Sequence, residues 1–296
     1  MDELTVGKAL LKQMTADKDT LYVIYPLSNH IGDLLVDGGL CHALLKKKRK
    51  KACVLIAPEK FSKIDLNFVG VKEVQYIPKT LMELIRRYIY ATREYEADNY
   101  VFGHFHMKAN REDWKAGVEV NRNLPFMHRF KENVFGLPLD TEIIPPIIQK
   151  LTDAQKQRLH ETYTLDKART IILAPYANAL QNLEPSFWDK LVEKLIDKNK
   201  DYVIYTNTAP NEKPIAGTTP IVTTFAELAY VAENINCFIG LRSGIFDFLV
   251  LVSPNARLLY TNDARHFSLK SNYNHINSVE FSNEDSSIDK IVEAVI

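Results

Sequence analysis

The stretch "NCFIGLRSGIFDFLVLV", residues 236–252, joins two apolar runs through Arg242, Ser243 and Gly244. An interior strand has no use for a guanidinium, and a surface loop has no use for so many large apolar neighbours. The pattern resolves if "NCFIG" (236–240) is a buried strand and "GIFDFLVLV" starts a buried helix a few residues later. Such a strand–loop–helix unit belongs to a parallel sheet covered on both faces.

The same alternation runs through the chain. Short apolar runs at 21–26 ("LYVIYP"), 52–58 ("ACVLIAP"), 73–78 ("EVQYIP") and 99–104 ("NYVFGH") read as strands. Helical periods follow at about 33–48 and in "TLMELIRRYIYATREY", with a further short helix near 126–135. "GLPLDTEIIPP" then places three prolines in eleven residues, which neither a helix nor an inner strand tolerates. Beyond it the alternation restarts with strands at 170–175, 202–207, 220–223, 236–240 and 256–261. The helix "PSFWDKLVEKLIDKN" carries Pro185 in its first turn, and the chain closes on "SSIDKIVEAVI". The expected class is α/β, with two Rossmann-like domains whose parallel sheets face a cleft. The expected division is a domain over 1–145, a linker over 146–168 and a second domain over 169–296.

A chain of 296 residues is comfortable for two domains of about 140 residues each. Its 46% apolar and 25% charged residues are those of a water-soluble globular protein. Formal net charge is zero, so the whole chain gives no electrostatic reason to bind nucleic acid. The N-terminus is charged throughout and lacks the apolar core of a signal peptide. Cys41, Cys53 and Cys237 are far apart and without CxxC spacing, the usage of buried thiols in a reducing compartment. The cytosol is the expected location.

In open α/β sheets ligands sit beyond the carboxyl ends of the strands. In the first half that place is "YPLSNHIGDLL". Gly32 is read as a tight turn and Asp33 as the start of the following helix, either as an N-cap or as a general base. His30 is a second candidate base. In the second half, Ser243 and Gly244 present backbone N–H groups at a helix start, where the dipole favours an anion, and Arg242 adds planar donors suited to phosphate oxygens. The alternative for Arg242 is an ordinary ion pair beside a turn. "LAPYANALQN", with Pro175 and Tyr176, and "YTNTAPN", with Asn207, are further loops at strand ends, equally readable as solvated turns.

"HIGDLLVDGGLCHALLKK", "IILAPYANALQNLEPSFWDKLVEKLIDKNKDYVIYT" and "TTFAELAYVAENINCFIGLRSGIFDFL" together resemble the GT-B glycosyltransferases, and within them the heptosyltransferase-like family. The resemblance implies that Asp33 matches the family's proposed catalytic base. It also implies that 242–247 stands at the donor motif, Asp-Ser-Gly-x-x-His in that family. Here Arg242 replaces the aspartate and Asp247 the histidine, a form more similar to the donor motif of GT-B fucosyltransferases, and Gln181 or Asn182 stands where the family carries a lysine. These departures argue against heptose as the donor sugar.

The implied reaction moves a sugar from a nucleotide-diphosphate donor to a glycan or lipid-linked acceptor hydroxyl, without a metal and with inversion. It belongs to cell-surface polysaccharide or glycoconjugate synthesis. The donor is a substrate, and no cofactor is called for. Arg242, Ser243 and Gly244 would hold the diphosphate, while Asp247, Pro175, Tyr176, Asn207, Thr224 and Phe225 would line the nucleotide and sugar. Asp247 would hold either Arg242 or a sugar hydroxyl, and reads equally as a buried carboxylate that orients the loop. Gly32, His104 and His106 would lie on the acceptor side. "GHFHMK" spaces its two histidines as metals can use, but lacks an evident third ligand. If the acceptor is lipid-linked, "KKKRKK" (46–51) and "LIRRYIYATREY" are the places for contact with the inner membrane face. A GT-B sugar-nucleotide epimerase, or a non-catalytic nucleotide- or glycan-binding protein of the same fold, stays open.

Overall fold

A computed structural model describes residues 2–27, 30–64, 66–103, 128, 130–177, 182–209, 212–252, 256–259, 279–281 and 288–295. The chain divides into two compact units, Met1–Ile147 and Ile148–Ile296.

The first unit is built on a four-stranded sheet of β1 (Thr20–Ile24), β2 (Ala52–Pro58), β3 (Val71–Ile77) and β4 (Tyr100–Phe102), ordered β3-β2-β1-β4. Every pairing in it is parallel. All five residues of β1 are buried, as a central strand covered on both faces requires. Helices α1 (Glu3–Met14), α2 (Ile31–Lys48) and α3 (Lys79–Thr92) accompany the sheet. Asp2 caps α1 by accepting the Thr5 N–H at 2.8 Å. Met82, Ile85, Tyr88 and Ile89 of α3 recur at helical spacing and join Leu11 of α1, Ile24, Ile56 and Phe102 in one core cluster.

That packing accounts for part of the surface expected to meet a membrane. The apolar stripe of "LIRRYIYATREY" is core, and Arg86 stacks over Tyr90 with its guanidinium carbon 5.6 Å from the ring centre. Four of the six cations of "KKKRKK" have partners, while Lys46 and Arg49 are exposed. Lys47 binds the carbonyls of Phe135 and Gly136, Lys48 that of Ala97, Lys50 reaches Asp98, and Lys51 reaches Asp19. Cations at a helix C-terminus suit its dipole, and here they also tie neighbouring loops to it. No helix among the described residues is long and apolar enough to cross a membrane.

Among the described residues the second unit holds six parallel strands: β5 (Thr170–Ala174), β6 (Val203–Asn207), β7 (Thr219–Ile221), β8 (Cys237–Leu241), β9 (Ala256–Leu259) and β10 (Val279–Phe281). Their order is β10-β9-β8-β5-β6-β7. The chain builds outward from β5 to β7, then crosses back and builds from β8 to β10 on the other side. This is the doubly wound order, and its reversal point lies between β5 and β8.

The helices here are α4 (Asp153–Thr162), α5 (Pro185–Lys198), α6 (Phe225–Glu233), α7 (Gly244–Val252) and α8 (Ile288–Ala294). Trp188, Leu191, Val192 and Leu195 of α5 fill the core against Ile171, Leu173 and Ile239. The segment 146–168 carries a helix of its own, α4. Thr152 and Gln155 close a capping box at its start, and Arg158 pairs with Glu227 of α6.

Gly240 sits in β8 beside Ala174 of β5, at the reversal point. A Cβ there would overlap the Ala174 carbonyl oxygen and come within 2.7 Å of the Phe246 ring and 2.8 Å of the Ala174 Cβ. Neither a central strand nor a buried ring in the next helix can yield cheaply. Gly240→Ala is therefore expected to destabilise the protein by about 1–3 kcal/mol in chemical denaturation. A loss below 0.5 kcal/mol would show that the two strands can part there.

Candidate functional site

The first unit has its own reversal point, between β1 and β4. Helix α2 begins with His30 as the N-cap residue, which makes no side-chain capping bond. Gly32 is therefore the second residue of the helix, which corrects the tight turn expected there, and Asp33 is the third, near the N-terminus as expected but not the N-cap of the first of its two readings. A first-turn carboxylate still faces the positive end of the helix dipole, and Asp33 is half-buried there. The His30 carbonyl accepts the Tyr25 hydroxyl at 2.5 Å, which pins the helix start to the end of β1. Partial desolvation lowers the His30 pKa, so at neutral pH this exposed ring is uncharged.

One residue that the sequence reading passed over lies one turn further on. Asp37 is fully buried, and neither carboxyl oxygen has a hydrogen-bond partner among the described residues. Its pKa is pushed well above the usual carboxylate range, chiefly by burial and then by the charge of Asp33. The signal was an acid four residues after Asp33 inside the apolar run "LLVDGGL".

In the second unit, Arg242 follows β8 and Ser243 precedes α7. The Ser243 carbonyl accepts the N–H groups of Phe246 (2.9 Å) and Asp247 (3.1 Å), which makes it the start of the helix. The N–H groups of Gly244 and Ile245 have no acceptor further back in the helix and are left for caps, water or a ligand. Arg242 Nη2 donates to Asp247 Oδ1 at 2.8 Å, with the two side chains 13% and 1% exposed. Burial raises the Asp247 pKa and the guanidinium pulls it back down.

The pair clamps the Ser243–Gly244 turn from both ends. It also qualifies the expected role of each member. The Arg242 charge is already opposed by Asp247, and Asp247 is buried on Arg242 rather than turned toward a ligand.

The other expected donor residues share the carboxyl edge of this sheet. Pro175 is buried after β5, and the Tyr176 hydroxyl donates to the Lys213 carbonyl at 2.5 Å. The Ala177 N–H donates to Asn182 Oδ1 at 3.0 Å, so Asn182 holds the loop where the resembling family carries a lysine. Asn207 ends β6, half-buried. Thr224 caps α6, its hydroxyl accepting the Glu227 N–H at 3.3 Å. Phe225 packs edge-on against Phe248 of α7, with ring centres 4.7 Å apart. Gln181, His104 and His106 lie outside the described residues. Among the described residues no cluster of three His, Cys, Asp or Glu could hold a metal ion.

With this geometry, comparison with solved structures gives a consistent answer. A glycosyl transferase family 9 protein from Veillonella parvula matches with TM-score 0.59 at 12% identity, over 93% of this chain and 90% of that one. E. coli ADP-heptose LPS heptosyltransferase II matches with TM-score 0.59 at 13% identity, over 93% and 97%. E. coli heptosyltransferase WaaC with ADP matches with TM-score 0.54 at 12% identity, over 92% and 98%. The fold is that of the GT-B glycosyltransferases. At such identities the likeness is one of fold, and it extends over both units. No protein-family model matches the chain, and no curated protein matches it in sequence.

Proposed function

We propose that this protein is a glycosyltransferase that moves a sugar from a nucleoside-diphosphate donor to an acceptor hydroxyl on a glycan or a lipid-linked glycan. The observation that carries the proposal is chemical provision at both reversal points of a GT-B chain. One has a first-turn aspartate, and the other an Arg-Ser-Gly turn opening a helix.

The donor diphosphate rests on the Gly244 and Ile245 N–H groups, where the helix dipole stabilises negative charge. Arg242 places its guanidinium charge beside that turn. Asp33 accepts the proton of the acceptor hydroxyl. The acceptor oxygen bonds to the anomeric carbon as the sugar–phosphate C–O bond breaks, and the nucleoside diphosphate leaves with that electron pair. One displacement inverts the anomeric centre. Charge growing on the leaving group meets fixed dipoles, so the step as drawn uses no metal ion. The heptosyltransferase neighbours, one of them solved with ADP, make ADP the first base to test.

The test is thermal unfolding with ADP, GDP, UDP and TDP. A diphosphate that binds only the folded protein stabilises it by about 2.7 kcal/mol at a hundred times its Kd. One of the four is expected to raise Tm, and the matching monophosphate to raise it less. If none raises Tm at millimolar concentration, the donor site is misassigned.

A further inference from the structure

Asp37 stands out from every other polar side chain near the candidate base. Gly103 follows β4, and its N–H extends the ladder by donating to the Ile24 carbonyl at 2.8 Å. A Cβ on Gly103 would overlap Asp37 Oδ2 and lie 2.8 Å from its Cγ. The carboxyl therefore fills the space that the missing side chain leaves, at the ends of β1 and β4, where the sheet reverses. Residues four apart on a helix share a face, so this buried carboxyl lies one turn below Asp33. The titratable groups around it, among the described residues, are Asp33 and Cys41 on α2 and Tyr25 at the end of β1. All of them are acids, and no cation among the described residues compensates it.

A carboxylate without partners does not stay ionised in a dry site, and two neighbouring carboxyls do not both ionise freely. Resting on the transferase reading for its catalytic meaning, we propose that Asp37 is a positioning residue. Seated against Gly103, it carries the proton of an Asp33–Asp37 pair and leaves Asp33 as the charged member, poised as the base. In this arrangement Asp37 touches no substrate. It holds a neutral, space-filling group under the first turn and leaves Asp33 as the one charged carboxyl of the pair.

The pair can be read without turnover. Asp37 has a folded pKa raised above its unfolded value, so the folded state binds the extra proton. Stability is then full at the acid end and falls as pH rises from the ordinary carboxylate range toward the folded pKa. Tm of the wild type is expected to fall by several degrees between pH 5 and pH 8. Asp37→Asn is expected to abolish most of that slope. Asp33→Asn is expected to move the levelling-off to lower pH, because the like charge that raises Asp37 is gone. Carboxyl carbon NMR should find one protonated aspartate at pH 7 in the wild type and none in Asp37→Asn.

Gly103→Ala is expected to lose several degrees of Tm in the wild type and clearly less in an Asp37→Ala background, a coupling that a merely tight backbone would not give. In transfer assays the wild-type kcat should fall on the alkaline side as Asp37 ionises, and Asp37→Asn should lose that inflection. Asp37→Ala should lower kcat roughly tenfold with KM little changed, since misplacing a catalytic group is costly. An ordinary carboxylate titration of Asp37, or equal Gly103→Ala losses in both backgrounds, overturns the pairing. An intact pair with turnover indifferent to Asp33→Asn overturns the catalytic reading instead.

Discussion

Arg242→Ala is expected to abolish diphosphate-dependent thermal stabilisation and to cost the free protein stability. The second effect follows from Asp247, which is 1% exposed and whose charged form, disfavoured by burial, is favoured by the guanidinium. Breaking a buried pair from one side typically costs about 3–5 kcal/mol, and the lower end applies here because a carboxyl can take up a proton instead. The stranded Asp247 would then have a folded pKa further above its unfolded value. The deficit should accordingly be larger at pH 8 than at pH 5, measured by chemical denaturation.

A simple loss of binding in this variant could come from a loosened loop. The double variant Arg242→Met/Asp247→Leu separates the two causes, because replacing both charges by apolar groups of similar size is often neutral for stability. It should regain stability and still fail to bind a nucleoside diphosphate. If Arg242→Ala keeps the full diphosphate shift, the pair only braces the turn and the helix N-terminus holds the anion alone.

Asp33→Asn is the second large effect. It should leave diphosphate binding intact and lower turnover by about 10²–10⁴-fold, the range for removing a general base. Losing a first-turn charge that faces the helix dipole costs stability, and relieving the like charge beside Asp37 offsets part of that cost. Unchanged turnover would remove Asp33 from the mechanism.

Much of the architecture was legible because buried parallel strands leave continuous apolar runs. The run at 52–58 became β2 without change, and "NCFIG" became β8 with its end one residue later. Short or polar elements were missed for equally physical reasons. Strand β10 has three residues, too few to show a period. Helix α4, "DAQKQRLHET", buries only Leu159 and is marked instead by its Thr152–Gln155 capping box.

At the site, the sequence placed Arg242 and Ser243 just past a strand end and Asp33 near the start of the helix that follows β1, because topology dictates where those ends lie. It left open whether Asp247 holds Arg242 or a sugar hydroxyl, since five residues across a strand–helix turn have no fixed geometry. It also hid Asp37 in a leucine-rich helix. That carboxyl becomes conspicuous only once Gly103, distant in sequence, is seen to make room for it.

The central claim, sugar transfer from a nucleotide donor, is tested most directly by acceptor-dependent turnover. The purified protein would be incubated with ADP-, GDP-, UDP- and TDP-sugars, with and without acceptor glycans. Free nucleoside diphosphate and glycosylated acceptor would be quantified together. The account predicts one donor whose diphosphate is released only with acceptor present, in equal amount to the new glycoside, and hardly at all by Asp33→Asn. Diphosphate binding with no release from any donor would contradict it and leave a binding protein of the same fold. Isomerisation of the donor sugar without transfer would point to an epimerase.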